Sequence, residues 1–317
     1  MLYLIITLIL FAGLQVYFRL ADRYNIIDKP NQRSSHTEIT IRGGGIVFPL
    51  SALLYGIFFH QVSIYIIIAI LLISLISLID DIRSLSNKVR LLVHLSAVLL
   101  VLYGLGALQH WPLWMIAASC VLIIGVINAY NFMDGINGIT GVYSLVALLS
   151  LWYTTVFVYP FTDVNFLICP AIASIIFLYY NFRKKARCFA GDVGSVSLGC
   201  WIATLILMLV WQSGDVKYLL FLAVYGVDTV LTILHRLLLG QNIFEAHRLH
   251  FYQILANERK TPHRWISVGY GLLQLFINLL VIYAGWNTVV TFVVICLPLA
   301  IIYAGMKNRL MTKTVAL

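Results

Sequence analysis

The sequence contains few charged residues. Only 10% of its 317 residues are Asp, Glu, Lys or Arg, whereas 62% are hydrophobic, and the mean hydropathy is +0.95. A soluble domain carries roughly 25% charged and about 45–50% apolar residues. The composition therefore excludes a soluble globular enzyme, a disordered chain and a nucleic-acid-binding domain, and it indicates a helical membrane protein.

The sequence also has no CxxC pair, and its first residues do not predict a cleavable leader. The five cysteines form no CxxC pair, so we expect neither a disulfide framework nor a zinc site. The N-terminal residues, from Met1 to Leu4, include no basic n-region, and no small-residue cleavage site follows. The first apolar run is therefore predicted to be a membrane span and not a removable signal peptide.

Long apolar runs make up most of the chain. A span needs ~20 apolar residues, and these runs are continuous, unlike the alternating strands of a β-barrel. The stretches are 2–18, 44–60, 62–79, 90–107, 112–129, 139–159, 164–181, 195–212, 217–235, 265–284 and 287–305. Because no repeat or domain boundary is visible, residues 1–317 are predicted to form one all-α transmembrane bundle of about eleven spans.

The basic residues divide unequally between the two predicted faces. With eleven spans, 20 of the 21 lysines and arginines fall on one face, and only Lys217 falls on the other. The positive-inside rule makes the basic face cytoplasmic, with the N-terminus outside and the C-terminus inside. The net charge of +9 is then explained by these loops. The cytoplasmic loops expected to carry an active site are 19–43, 80–90, 130–138, 182–194 and 236–264.

Two adjacent carboxylates, Asp80 and Asp81, close the third stretch. They repel each other unless cations or a metal ion lie nearby. Lys88 and Arg90 follow closely and are candidates for that compensation. A solvated flank is the alternative, although such flanks are usually basic.

Polar residues recur at intervals of three from the end of the fifth stretch onward. Asn128, Asn131 and Asp134 lie near one face if the segment is helical, and Asn137 comes one interval later. Carboxylate and amide groups supply ligands for Mg²⁺ and donors for a nucleobase edge. A turn would need only one such residue, so we interpret this cluster as functional.

A third cluster surrounds Asp192, in the sequence Gly191-Asp192-Val193-Gly194-Ser195. Four cations precede it: Arg183, Lys184, Lys185 and Arg187. Asp192 is a candidate metal ligand beside a phosphate-attracting rim. The alternative is that it only caps the eighth span.

Two further loops carry histidine and arginine. His247, Arg248 and His250 lack a third zinc ligand at suitable spacing, and they are better suited to holding a pyrophosphate. The alternative is a basic loop at the membrane interface. The other loop contains Arg33, His36 and Arg42, and then three glycines. Glycines before a helix resemble an anion nest, but a re-entrant structural loop is equally consistent.

One acidic residue lies well inside a span. Asp228 precedes Arg236 by two helical turns. An intramembrane carboxylate is either functional or paired, and a structural pair with Arg236 is predicted.

These motifs, in this order, resemble those of the polyprenyl-phosphate N-acetylhexosamine-1-phosphate transferases of glycosyltransferase family 4. This membrane family includes the initiating enzymes of enterobacterial antigen and O-antigen and the peptidoglycan translocase. The resemblance rests on residues 33–37, 42–45, 80–81, 128–138, 181–195 and 247–250.

The resemblance implies a Mg²⁺-dependent reaction at the cytoplasmic face of the inner (plasma) membrane, with Mn²⁺ as a substitute ion. An N-acetylhexosamine 1-phosphate passes from a UDP-sugar, UDP-GlcNAc by default, to undecaprenyl phosphate. UMP is released, and a lipid-linked surface polysaccharide such as the O-antigen of lipopolysaccharide is initiated. The expected partners are these two substrates and membrane lipids, with a homodimer left open.

The resemblance also implies roles for individual residues. Asp192 and Asn131 would hold Mg²⁺, and Asp80, Asp81 and Asp192 would be catalytic. The remaining candidates would bind substrate: Lys88, Asn128, Asp134, Asn137, His247, Arg248, His250, Arg33, His36 and Arg42. A phosphate monoester has a second pKa of about 6, so the lipid phosphate is largely a dianion at pH 7. We therefore expect Asp80 and Asp81 to position Lys88 or the metal rather than to remove a proton.

A membrane transporter of a nucleotide-sugar or lipid-linked sugar is the alternative function. Transporters place polar groups near mid-bilayer and usually contain internal repeats. Here the polar groups gather at one face, which favours the enzyme.

Overall fold

The computed structural model describes residues 1–30, 38–243 and 247–310. Within these ranges the chain is almost entirely helical. The α-helices are α1 (Leu2–Tyr24), α2 (Val47–Phe58), α3 (Ile64–Ile82), α4 (Asn87–Gly104), α5 (Ala107–His110), α6 (Leu113–Met133), α7 (Ile139–Tyr153), α8 (Asn165–Asn181), α9 (Gly191–Ser213), α10 (Ala223–Leu238), α11 (Phe251–Asn257), α12 (His263–Tyr283) and α13 (Thr288–Leu310). A 3₁₀-turn at Gly44–Ile46 leads into α2, a π-helical turn at Thr154–Val158 extends α7, and a 3₁₀-helix at Val216–Leu222 leads into α10.

Nine helices in the described part of the chain are long and apolar enough to cross a membrane. Two shorter apolar helices, Gly44–Phe58 and Asn165–Asn181, coincide with the remaining two predicted stretches. The prediction of an all-α, multi-pass membrane protein is therefore confirmed. The count of eleven spans and the orientation in the membrane stay predictions.

Helix α9 forms the centre of the bundle. It packs against α3, α6 and α7, and 94% of its most apolar stretch is buried inside the protein. A helix that is apolar on all sides is buried either in lipid or among other helices, and for α9 the surroundings are other helices. Because the first turn of α9 contains Asp192, this packing places that carboxylate in the middle of one end of the molecule.

The glycines before α2 form a packing contact rather than an anion nest. The N–H groups of Gly44 and Gly45 donate to the carbonyls of Phe189 and Ala190, at 2.8 and 3.0 Å. A Cβ on Gly45 would lie 2.1 Å from the Cα of Gly194, so this crossing requires glycine. The anion-nest interpretation is wrong because these donors are already used, and the structural-loop alternative holds.

A two-stranded antiparallel sheet fixes the same region. Its strands are β1 (Ile27–Asp28) and β2 (Thr40–Ile41), and Ile41 also forms a parallel bridge with Cys188. The sheet therefore ties the segment before α2 to the segment before α9. Arg42 follows β2 directly and is positioned by it.

The predicted pair between Asp228 and Arg236 is wrong. Eight residues of helix separate their Cα atoms by about 12 Å. The Arg236 guanidinium donates instead to the carbonyls of Asn242 and Ile243, at 2.5 and 3.1 Å. The carboxylate of Asp228 contacts His250.

Candidate active site

Three aspartates and two arginines meet at the start of α9. Arg42 contacts Asp81 through Nε at 2.7 Å and Asp192 through Nη2 at 3.3 Å. Arg90 contacts Asp80 through Nη1 at 3.1 Å and Asp192 through Nη2 at 3.6 Å. Each guanidinium therefore bridges two carboxylates, and each oxygen of Asp192 faces a different arginine.

Asp81 anchors the N-terminus of α9. Its side chain is fully buried, and its two oxygens accept the N–H groups of Asp192 and Val193, both at 2.9 Å. A carboxylate at this position satisfies orphan donors and complements the helix dipole. A Cβ on Gly191 would lie 2.5 Å from Asp81 Oδ2, so glycine is needed for this approach. These contacts make Asp81 a positioning group for Asp192 and Arg42.

Asp80 has a different environment from its neighbour. One of its oxygens accepts the N–H of Leu85 at 2.6 Å, which fixes the turn between α3 and α4, and the other contacts Arg90. Lys88 lies exposed in the first turn of α4. The aspartate pair thus contacts Arg42 and Arg90. Of the two cations expected from the sequence, Arg90 makes the contact and Lys88 does not.

The asparagine-rich segment forms the end of α6 and the loop after it. Asn128 donates to the carbonyl of Ile124 at 2.9 Å. Asp134 is partly buried and accepts the Thr140 hydroxyl at 2.6 Å. Burial raises the pKa of Asp134 to about 7, although the Thr140 hydrogen bond acts in the opposite direction. This carboxyl is therefore close to its titration point at neutral pH.

Amide side chains tie this loop to its neighbours. Asn137 donates through Nδ2 to the carbonyl of Arg183 at 2.9 Å. Asn181 accepts the N–H of Gly138 at 2.6 Å and donates to the carbonyl of Cys188 at 2.8 Å. The loops at 135–138 and 182–190 are therefore held together as one wall of the site. One N–H of the Asn137 amide is therefore used in that wall, and the amide has a second N–H and an oxygen for other partners.

Two cavities meet at these residues. The smaller has a volume of about 220 Å³ and includes Arg42, Asn137 and Phe189 in its lining. The larger has a volume of about 530 Å³ and includes Arg90 and Asn128. Both are lined by the same five residues: Asn131, Asp134, Gly135, Asp192 and Gln253. The predicted metal ligands thus lie at the junction of the two cavities.

The histidine loop closes the larger cavity. His247 and His250 both line it, and their ring centroids are 4.9 Å apart. Burial lowers the pKa of His247 to about 3, with His250 and Arg236 acting in the same direction. His247 is therefore neutral at physiological pH. Arg248 is half-buried in the same loop.

Two predicted residues, Arg33 and His36, lie outside the described residues. The polar lining residues that were absent from the predicted site include Arg90, Gln253 and His263. Arg90 could have been added from its place after the aspartate pair, and Gln253 from its place in the histidine loop. His263 starts α12 and has no local signal in the sequence.

The match to known proteins agrees with this arrangement. Residues 63–210 match the model of glycosyl transferase family 4, and that region contains the Asp80, Asn128–Asn137 and Asp192 motifs. This match agrees with the resemblance predicted from the sequence motifs.

The chain is also similar to one protein of Bacillus subtilis (strain 168). That protein is named a probable undecaprenyl-phosphate N-acetylglucosaminyl 1-phosphate transferase. The two are 28% identical over 261 residues, which cover 75% of this chain and 71% of the relative.

Proposed function

We propose that this protein transfers N-acetylglucosamine 1-phosphate from UDP-GlcNAc to undecaprenyl phosphate and releases UMP. The observation that carries the proposal is the meeting of two cavities at Asp192 and Asn131. A transfer between two substrates needs two binding spaces that share the reacting centre. The name of the similar Bacillus subtilis protein supplies the lipid and the sugar.

The chemistry of the cavity walls suggests which substrate each space takes. The larger cavity is bounded in part by Leu91, Ile124 and Phe132, and Leu91 on α4 is 58% exposed on the outer surface of the bundle. An isoprenoid phosphate could reach Arg90 along this apolar side. We therefore assign the larger cavity to the lipid phosphate and the smaller cavity to the nucleotide. Asn128 then belongs to the lipid side, although it was predicted for the nucleotide.

The residues at the junction fit Mg²⁺. The three carboxylates outnumber the two arginines that contact them, so a cation is electrostatically favoured. The described residues contain no group of three or more His, Cys, Asp and Glu side chains that could hold a metal ion by themselves. Mg²⁺ typically takes one or two carboxylates together with waters and substrate phosphates. Asp192 and Asn131 would therefore hold it in company with the donor's pyrophosphate.

The side chains present can orient and attract the two substrates. When bound, Mg²⁺ would neutralise charge developing on the pyrophosphate and on the departing UMP. Arg42 and Arg90 hold Asp192 in place and give the site positive charge for the incoming phosphates. Neutral His247 can offer a hydrogen bond without adding charge.

The transfer itself needs no protein base. An oxygen of the lipid phosphate dianion forms a bond to the phosphorus attached to the sugar. The bond from that phosphorus to the bridging oxygen breaks, and UMP leaves with the electron pair. Because the lipid phosphate is already largely deprotonated at pH 7, Asp80 and Asp81 act by positioning the arginines and α9.

Purified protein in vesicles that contain undecaprenyl phosphate tests the proposal. Incubation with UDP-GlcNAc should release UMP and form a lipid-linked sugar, and vesicles without the lipid phosphate should release none. A panel of UDP-sugars then identifies the donor. Uptake of the intact nucleotide-sugar without cleavage would instead support the transporter alternative.

A further inference from the structure

Asp228 lies at the centre of a buried polar cluster that the proposed chemistry does not use. Its carboxylate is on α10, with a side chain only 4% exposed. The hydroxyl of Tyr270 on α12 donates to Oδ2 at 2.8 Å. The N–H of Phe251 donates to Oδ1 at 3.0 Å, and the hydroxyl of Thr232 lies 3.3 Å from the same oxygen.

The histidine in this cluster connects it to the active site. Nδ1 of His250 lies 3.3 Å from Asp228 Oδ1, and the His250 ring lines the larger cavity. Nε2 of His250 is buried without a hydrogen-bond partner in the described part of the chain. When Nδ1 donates its proton to a carboxylate, Nε2 is left for another group.

The cluster continues to the last helix. The hydroxyls of Thr232 and Tyr303 are 2.6 Å apart, and Nζ of Lys307 contacts the Tyr303 hydroxyl. Lys307 is buried, with 1% exposure, so a cation lies near the buried carboxylate. Such compensation is expected for an acidic group inside an apolar bundle. Asp228 is thereby contacted directly from α10, α11 and α12, and α13 joins the cluster through Thr232.

A purely structural cluster would account for the hydrogen bonds. The position of His250 at the cavity distinguishes its unused Nε2 from other buried atoms without a partner among the described residues, such as the Thr229 hydroxyl. A buried polar atom that is left unsatisfied destabilises the folded protein. Native structures tolerate such atoms mainly where a ligand or water completes them. The unused Nε2 belongs to a ring that borders the cavity at the junction with Asp192.

We propose that Asp228 is a positioning residue, which fixes His250 with Nδ1–H toward its carboxylate and leaves Nε2 as a hydrogen-bond acceptor for a hydroxyl or N–H donor of the transferred sugar. This inference rests on the proposed function. It assigns to α10 a role that the predicted site did not include. Tyr270 supports it by holding the second oxygen of the carboxylate.

A double-mutant cycle measures whether Asp228 acts through His250. The variants are Asp228→Asn, His250→Ala and the double variant, each assayed for UMP release. We expect Asp228→Asn to lower kcat/KM by about 10- to 100-fold, as loss of a group that orients a functional histidine does. In the His250→Ala background the same change should have no further effect, because two residues that act as one unit are not additive.

Two additional variants keep the test decisive. Thr229→Val is the matched control, since Thr229 is buried on the same helix with no hydrogen-bond partner for its hydroxyl among the described residues. It should retain near wild-type activity. If Asp228→Asn fails to fold, Tyr270→Phe replaces it in the cycle. That variant keeps the ring and removes one donor to the carboxylate, and a several-fold loss is expected only when His250 is present.

The outcomes separate this inference from the proposed function. Losses that multiply in the double variant would show that Asp228 acts on folding or on another group, and would overturn the inference. Wild-type protein that releases no UMP with undecaprenyl phosphate would overturn the proposed function itself. Melting temperatures of all variants, measured in the same detergent, identify any loss that comes from unfolding.

Discussion

Removing the charge of Asp81 is predicted to lower the stability of the protein, whereas removing the charge of Asp192 is predicted to lower its activity and leave its stability nearly unchanged. In the wild-type protein the two oxygens of Asp81 accept the N–H groups of Asp192 and Val193 and the Nε–H of Arg42. Asn at this position has only one acceptor oxygen, so at least one of these donors loses its partner. A lost helix cap costs about 1 kcal/mol, and a buried donor left unsatisfied costs about 1–3 kcal/mol. We therefore expect Asp81→Asn to destabilise the protein by about 2–4 kcal/mol.

Replacing Asp192 with Asn should leave stability nearly unchanged. Its oxygens face Arg42 and Arg90, whose side chains are 36% and 30% exposed, and ion pairs of partly exposed groups contribute about 0–1 kcal/mol. Activity should nevertheless fall by at least about 100-fold, since the charge that attracts the metal and orders the arginines is lost.

Thermal unfolding in detergent and UMP release, measured on the same preparations, provide the comparison. Asp22→Asn is the matched control, because it is the same substitution at an exposed position on α1. It should alter neither quantity. The reasoning is refuted if Asp81→Asn is as stable as wild type, or if Asp192→Asn is stable and active.

Three smaller changes test other parts of the site. Asn131→Ala should lower activity and be partly rescued by high Mg²⁺ or by Mn²⁺, because water can replace a neutral ligand; titration of activity with each ion measures this. Asn137→Ala removes the hydrogen bond to the Arg183 carbonyl, which is worth about 1 kcal/mol. The KM for the UDP-sugar should therefore rise several-fold, with a smaller change in kcat. An unchanged KM with a collapsed kcat would contradict this prediction. Gly45→Ala would place a Cβ 2.1 Å from the Cα of Gly194, and the overpacking should cost about 1–3 kcal/mol in thermal unfolding.

The transmembrane helices could be predicted from the sequence, because a membrane span needs a continuous run of about 20 apolar residues. Each predicted apolar stretch falls on an apolar helix. The helix ends could not be predicted in the same way. Helix α1 continues to Tyr24, beyond the apolar stretch, and α3 includes Asp80 and Asp81. Hydropathy marks the part of a helix that suits lipid, whereas the backbone remains helical into the polar interface.

The members of the site were also visible in the sequence, since polar residues are rare in so apolar a chain. Their pairings were not, because they depend on packing between distant segments. Arg42 meets Asp81 across 39 residues, and His250 meets Asp228 across 22. Two cations chosen for their nearness in sequence do not make the expected pairs: Lys88 is exposed, and Arg236 binds loop carbonyls.

The two adjacent aspartates show why residue type alone does not define a role. Asp80 and Asp81 are consecutive, but their side chains leave α3 in different directions. One fixes the turn to α4 and contacts Arg90, whereas the other caps α9 and contacts Arg42. Asp192 is contacted by both arginines, Arg42 from the side of Asp81 and Arg90 from the side of Asp80. The charge of the pair is therefore used to place two guanidinium groups on either side of a third carboxylate, and this arrangement follows from how α3, α4 and α9 pack, which no local motif contains.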